Sequence, residues 1–417
     1  MRRAWPLTVR GTAAGALALA CFIASAQFGS VQLLAFGVFL VALVVVSLIA
    51  LHITRRDVSL SRSSSPATVP VGADTRVTVR VSVRTALPTT PGTWADQVPD
   101  GLEGRSDGRF PALGSGLRGG DRAVDLVYDL HATRRGVHWL GPLDLTIRDP
   151  FGIARRVAEI GGTTRLIVTP ECIDLPPLTA FAGATGGVLQ ATTTRLGQGT
   201  DNLIARPYQP GDSMRRIHWR ATAHRDMLMV REEEQESTPE ATVVLDRSAI
   251  RWSEDAARQP GMDPAFEAAI DACVSAVNAL VRDGYAVQVI DVDGTPLSEV
   301  VPGGEQSAVA VLVARFATVT ATGSLRLDAL TRLWAGSTTG PLVVVAGALT
   351  PADIDALAPV PAHSVHPVLL SAAPRMDAIE RAAATGWYAA SIVPGTSLRD
   401  AWLRVSHTDL AAAGATS

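Results

Sequence analysis

"PAFEAAIDACVSAVNALVRDG" (264–284) lies between two compact apolar runs, "ATVVLD" (241–246) and "AVQVIDV" (286–292). Phe266, Ile270, Val274, Val277 and Val281 fall on one helical face, and Gly284 offers a C-terminal stop. The alternation continues with a helix around 325–335, the strand "PLVVVAG" (341–347) and the helix "TPADIDALA" (350–358). The strand "SVHPVLL" (364–370), a helix over 375–385, the strand "YAASIVP" (388–394) and a last helix near 396–406 complete it. Strands that are apolar throughout are covered on both faces, so residues 237–417 read as a doubly wound α/β domain with a mainly parallel sheet.

Upstream the period changes from helical to two. "TRVTVRVSVRT" (75–85) places Val77, Val79, Val81 and Val83 on one face and Arg, Ser or Thr on the other. The pattern returns at Val124, Leu126, Tyr128 and Leu130, then at Leu143, Leu145 and Ile147, with turn signals such as "GSGLRGGD" and "DPFG" between. Residues 57–170 therefore read as a β-rich, sandwich-like domain with no catalytic feature, its Arg face being a solvated sheet face. Residues 171–205 lose all period and read as a linker.

The N-terminus carries two uncharged apolar runs, 11–28 and 31–51. At about 1.5 Å per residue the second spans roughly 30 Å, the thickness of a bilayer core. "ASA" at 24–26, after Arg2, Arg3 and Arg10, resembles a signal-peptide cleavage site, while an uncleaved hairpin over residues 1–56 is the favoured reading. Either way, Arg2, Arg3 and Arg10 at one end and Arg55, Arg56 and Arg62 at the other hold both ends inside, which places the soluble body in the cytoplasm, on the inner (plasma) membrane. Gly11 and Gly15 permit close helix packing, a weak signal among so many small residues.

A net charge of −3 argues against a dedicated nucleic-acid binder. All 37 basic residues are Arg, and the three cysteines show neither metal-ligand spacing nor a disulfide framework. The charge is concentrated in "RPYQPGDSMRRIHWRATAHRD" (206–226), followed by Glu232, Glu233, Glu234 and Glu236. Pro210-Gly211 makes a turn, Asp212 suits the N-cap of a short helix beginning "SMRRIHW", and Ile217 and Trp219 are expected to anchor it by burial. Arg215, Arg216 and Arg220 then project from the surface, and "MLMV" (227–230) leads back into the α/β domain. Bracing of the linker by ion pairs and docking of a partner are the competing uses. His218 and His224 stand six apart, and neither a nucleophile elbow nor a phosphate loop exists, so no catalytic constellation is present. Four Glu directly after the Arg cluster disfavour a phosphate backbone.

Three stretches in order, "TRRGVHWLGPLDLTIRDPFGI" (133–153), "RLIVTPE" (165–171) and "ARPYQPGDSMRRIHWRATAHRDMLMVREEEQE" (205–236), resemble the bacterial domain-of-unknown-function family fifty-eight. The matching positions in the signature segment 206–236 are Arg206, Tyr208, Gly211, Asp212, Arg215, Trp219, Arg220 and Ala223; Arg216 lies among them. His218 stands in place of an acidic residue, and His224 interrupts the usual Ala-Arg pair. The resemblance implies two membrane spans, a β-rich region and a C-terminal domain similar to von Willebrand factor type A. It also implies a MoxR-type AAA+ ATPase as partner, with other membrane proteins nearby, and hence an adaptor or scaffold in complex assembly or an envelope-related process. Type A domains that bind Mg²⁺ use Asp-x-Ser-x-Ser after the first strand and a distant Thr and Asp. Here Asp246 and Ser248 match, Ile250 replaces the second Ser, and Ala346-Gly347-Ala348 stands where an Asp is expected. Mg²⁺ is therefore disfavoured, and Asp246 and Ser248 are expected to cap the strand-to-helix turn. The alternative function is a Mg²⁺-dependent binding module or hydrolase centred on Asp246.

Overall fold

The computed structural model describes residues 5–53, 57–84, 91–112, 122–149, 151–178, 203–208, 214, 217–225, 227–233, 239–323, 326–333, 340–374 and 376–407. The chain divides into two units, Met1–Glu171 and Cys172–Ser417.

The first unit opens with α1 (Val9–Phe28) and α2 (Val31–Ile53), both long and apolar enough to cross a membrane. Gly29, left-handed at φ 63°, ends α1 by donating its amide to the Ser25 carbonyl, so the turn between the helices is only two residues long. Leu19, Val38 and Phe39 face outward, as lipid-facing residues would. The close packing between the helices uses Gly37, where a β-carbon would lie 2.8 Å from the Phe22 ring. Gly11 serves a different contact, described below, and Gly15 meets nothing within 4 Å.

Eleven strands follow: β1 (Asp57–Ser65), β2 (Thr68–Pro70), β3 (Asp74–Arg84), β4 (Gly92–Asp96), β5 (Leu102–Glu103), β6 (Asp107–Phe110), β7 (Arg122–Ala132), β8 (Gly136–Leu140), β9 (Leu143–Arg148), β10 (Arg155–Ile160) and β11 (Thr164–Thr169). They form three small sheets, β1-β3-β7-β5, β10-β9-β4-β6 and β2-β11-β8. The register pairs Val79 with Leu126 over the core and sets Arg76 opposite Asp129 and Arg80 opposite Asp125 on the solvent side. The Arg face is thus a cross-strand ion-pair ladder in water. Inside, the Arg62 guanidinium donates to both oxygens of Asp96 (2.9 and 2.7 Å), Tyr128 Oη donates to Asp96 at 2.5 Å, and Arg62 Nη1 reaches the Leu140 carbonyl. Burial, and then the Asp96 carboxylate, push the Tyr128 phenol well above its usual range.

The second unit begins earlier than the sequence implied. Read as the start of a linker, Leu175 and Leu178 are instead buried in the α/β core; Ile173 N donates to Ser275 Oγ (2.9 Å) and Trp402 Nε1 to the Pro176 carbonyl (2.9 Å). Arg282 holds both Asp174 and the Leu175 carbonyl. Then β12 (Leu203–Pro207) and β13 (Met229–Glu233) pair as an antiparallel ribbon around α3 (Trp219–Arg225). The "MLMV" stretch therefore feeds this separate ribbon and does not enter the main sheet.

The main sheet is parallel, with β14 (Glu240–Leu245), β15 (Ala286–Asp291), β16 (Leu342–Ala346), β17 (Pro367–Ser371) and β18 (Tyr388–Ser391) in the order β15-β14-β16-β17-β18. The helices are α4 (Asp255–Arg258), α5 (Pro264–Arg282), α6 (Gln306–Phe316), α7 (Asp328–Leu333), α8 (Pro351–Leu357), α9 (Met376–Ala384) and α10 (Leu398–His407). Val243, Leu245, Val343 and Val345 face α5, α6 and α10. Val244, Leu342, Val344 and Leu369 face α7, α8 and α9. Apolar residues on both strand faces thus build two cores, the doubly wound arrangement. α5 is apolar enough to be mistaken for a membrane span, but twelve of its residues are buried within this unit. Asp263 caps it, accepting from the Ala265 and Phe266 amides.

Candidate functional site

The strand order reverses between β14 and β16, the point at which open α/β sheets present a ligand crevice beyond their carboxyl ends. β14 delivers Asp246 to this edge, fully buried, with Trp252 Nε1 donating to its carbonyl at 2.9 Å. Asp246 Oδ1 accepts from the Ser248 amide (3.0 Å) and so shapes the turn, as expected. Ser248 departs from expectation: among the described residues its hydroxyl caps nothing and, like Asp246 Oδ2, is buried with no hydrogen-bond partner.

The residue that fills the crevice is Arg251, 6% exposed. Its Nη1 lies 3.4 Å from Asp246, and its Nη2 donates to Asp353 Oδ1 at 3.1 Å. Asp353 comes from the first turn of α8, where it forms a reciprocal capping box with Thr350. The backbone closes over the same spot. Ala348 N donates to the Arg251 carbonyl (3.0 Å), and a β-carbon on Gly347 would lie 2.3 Å from that oxygen. Gly347 is therefore required by the Arg251 backbone that lies against it. Beside it Asp291, at the end of β15, accepts from the Arg247 and Val292 amides and stands 3.8 Å from the Arg247 guanidinium.

Burial drives the Asp246 carboxyl up to about 7, against the downward pull of Arg251 and the Ser248 amide. Burial also raises Asp291, with the Val292 amide and Arg247 opposing it. Burial acts upward on Asp353 too, but the Thr350 hydroxyl and amide and Arg251 outweigh it and leave that carboxyl below its ordinary value. A hard cation needs an anionic oxygen shell. The donors here do not fit one, because a guanidinium already occupies the space between the two carboxylates. Among the described residues no group of three or more His, Cys, Asp or Glu is arranged to hold a metal. Arg251 and Asp353 escaped sequence reading because neither belongs to the Asp-x-Ser-x-Ser pattern.

Of the signature residues, Arg206 lies in β12 opposite Val230, and Tyr208 is half-buried, its amide donating to the Leu228 carbonyl. Gly211, Asp212, Arg215 and Arg216 lie outside the described residues. Trp219 corrects the sequence reading, being 68% exposed at the start of α3. Ile217 alone is the anchor, 4% exposed and bridged to Val230. Of the expected helix start, Ser213, Arg215 and Arg216 lie outside the described residues; α3 is described from Trp219, and His218 caps it, its Nδ1 accepting from the Ala221 amide at 3.1 Å. Arg220 and Ala223 are exposed on the same short helix.

Residues 204–326 match the family described as "Protein of unknown function DUF58". The match takes in the β12/β13 ribbon, α3, the Asp246–Arg251 loop and the chain through α6. A comparison with curated proteins finds no match. Among solved structures, the CARDB domain of the PF1109 protein from Pyrococcus furiosus, in complex with di-metal ions, is 15% identical over 27% of this chain and 88% of that one, with a TM-score of 0.20. A non-cellulosomal cohesin from the hyperthermophilic archaeon Archaeoglobus fulgidus is 19% identical over 27% of this chain and 91% of that one, with a TM-score of 0.18.

Proposed function

We propose that the chain is a membrane-anchored adaptor or scaffold with its soluble units in the cytoplasm, working with a MoxR-type AAA+ ATPase. In this reading the α/β domain is of the von Willebrand factor A type, with its metal position taken by Arg251. The α3 collar is the partner-binding surface. The observation that carries the reading is Trp219. A large aromatic is left 68% exposed beside Arg220, within the family-matched stretch, and among the described residues it makes no hydrogen bond or ring contact. Trp and Arg are the side chains that most often dominate protein interfaces.

The membrane anchor is supported by α1 and α2, and its retention by the packing of Thr8 and Gly11 on the β-rich unit, which cleavage after Ala26 would discard. The test is affinity capture from native membranes with the tagged full-length chain. Wild type is expected to bring down the ATPase, and Trp219→Ala/Arg220→Ala to lose it while melting unchanged. Undiminished capture by that variant would remove the collar from the reading. A Mg²⁺-dependent module or hydrolase centred on Asp246 draws on the unpartnered Ser248 hydroxyl, and Arg251 weighs against it.

A further inference from the structure

Ahead of α1 the chain folds back on the β-rich unit. Leu7 bridges Ala154, Thr8 N donates to the Ile153 carbonyl (2.9 Å), Arg155 N to the Pro6 carbonyl (2.8 Å), and Thr8 Oγ1 to the Gly152 carbonyl (2.6 Å). Gly11 lets α1 approach that loop closely, since a β-carbon there would lie 2.2 Å from the Ile153 oxygen. This junction forms a half-open cleft of about 550 Å³, within the size range of small-ligand sites. Three guanidiniums from three elements line it: Arg10 in the first turn of α1, Arg148 at the end of β9 and Arg155 at the start of β10.

Among the described residues the cavity lining holds no carboxylate, and the first turn of α1 has no acidic residue. The neighbouring Asp149 is 4% exposed, and its oxygens are taken by the Phe151 and Ala154 amides. Among the described residues, positive charge therefore gathers at one end of an apolar helix long enough to cross a bilayer. Trp5, 64% exposed, stands at the same rim. Trp favours the headgroup level of a membrane, and guanidinium forks pair with phosphate oxygens.

We propose that this cavity binds a phosphate-bearing anion, supplied by the membrane as the headgroup of an anionic phospholipid. Arg10, Arg148 and Arg155 hold the phosphate, and Trp5 lies along the glycerol and upper acyl region. The site rests on the membrane-anchored reading above. It would fix the β-rich unit against the bilayer surface, since the same loop that docks Thr8 presents two of the three arginines.

The test is lipid retention by the full-length chain. The chain is extracted in detergent, offered equimolar phosphatidylglycerol and phosphatidylcholine, and its bound lipid is read by native mass spectrometry. Wild type is expected to favour phosphatidylglycerol more than tenfold. Arg10→Gln, Arg148→Gln and Arg155→Gln should each lower that preference about fivefold, the contribution of one basic residue near an anionic surface. All three side chains are exposed, and a melt of each single variant separates loss of lipid from loss of fold, so the single variants carry the test even if the triple variant does not fold. Equal retention of the two lipids by wild type, or an undiminished preference in all three variants, overturns the site. Displacement of the bound lipid by millimolar inorganic phosphate overturns the membrane as the source of the anion. Alkaline carbonate washing separates the two readings. The chain should stay in the membrane pellet, and its release would overturn the anchor itself, whatever the lipid preference.

Discussion

The Arg251 guanidinium lies 3.4 Å from the Asp246 carboxylate, and both side chains are buried at the switch point of the parallel sheet. With its second nitrogen on Asp353, Arg251 ties the loop after β14 to the first turn of α8.

Removing Arg251 strands Asp246 and Asp353 in a medium that solvates them poorly, most severely above about pH 7, where Asp246 is ionised. Arg251→Ala is expected to cost about 3–5 kcal/mol, far more than an exposed Arg. The Asp246→Leu/Arg251→Met double variant should recover most of it, because an apolar pair needs no solvation. Denaturant melts of both, set against Asp246→Leu alone, form the cycle; a strictly additive double variant would show that the two side chains do not depend on each other.

Mg²⁺ should leave the melting of the full-length chain unchanged. A ligand that binds only the folded state at a hundred times its dissociation constant adds about 2.7 kcal/mol. A rise of that size in millimolar Mg²⁺, lost in Asp246→Ala, would restore the metal-dependent alternative and displace Arg251 from its assigned role.

Asp246 also sets a pH dependence. Its folded midpoint is pushed up to about 7, against 3.8 for an ordinary Asp, so the folded protein holds a proton there that the unfolded chain releases. The resulting stability is fully present below about pH 4 and is lost as pH rises through about 7. Over that window it amounts to at most about 4 kcal/mol, at about 1.4 kcal/mol per pH unit. Other carboxylates titrate in the same range, so the readout is the difference between wild type and Asp246→Asn. That difference should shrink in favour of wild type as pH falls; a constant gap from pH 7 to 4.5 would mean Asp246 is ionised throughout.

The α/β domain was legible because its strands are apolar on both faces and its helices on one; α7 to α10 fall within a few residues of where periodicity put them. α6 escaped notice, although Val309, Leu312 and Phe316 carry the spacing of its buried face. The site was only half legible. Asp246 stands in a motif, whereas Arg251 and Asp353 meet it from a loop and from a helix 102 positions apart, a relation that only the folded sheet creates. Trp219 misled for a general reason: aromatic residues are usually buried, and a sequence does not show when one is left exposed.

Orientation in the membrane is set by which loops carry Arg. Both outer ends of the α1–α2 hairpin are Arg-rich, and the two-residue turn between the helices carries no charge. A reporter active only outside the membrane, fused to Ser417, should stay silent, and one active in the cytoplasm should work. The opposite pair of signals would invert the topology and remove any cytoplasmic ATPase as partner.

The collar inverts the ordinary expectation for a Trp and an Ile two positions apart. Ile217 is buried against β13, near Met229 at 0% exposure, while Trp219 stands in solvent. Ile217→Ala should therefore cost about 2–4 kcal/mol through the lost apolar contacts and the cavity left behind. Trp219→Ala should cost within about 0.5 kcal/mol, as surface substitutions do. Partner capture should rank them the other way: Trp219→Ala loses the partner at unchanged stability, at about 2 kcal/mol or more of binding free energy. Ile217→Ala loses capture only in proportion to the unfolded fraction, and recovers it on cooling. Paired melts and captures at two temperatures separate the two effects. A Trp219→Ala chain that melts several degrees early would mean the indole packs against the protein after all, and the collar would then be bracing and not a docking surface.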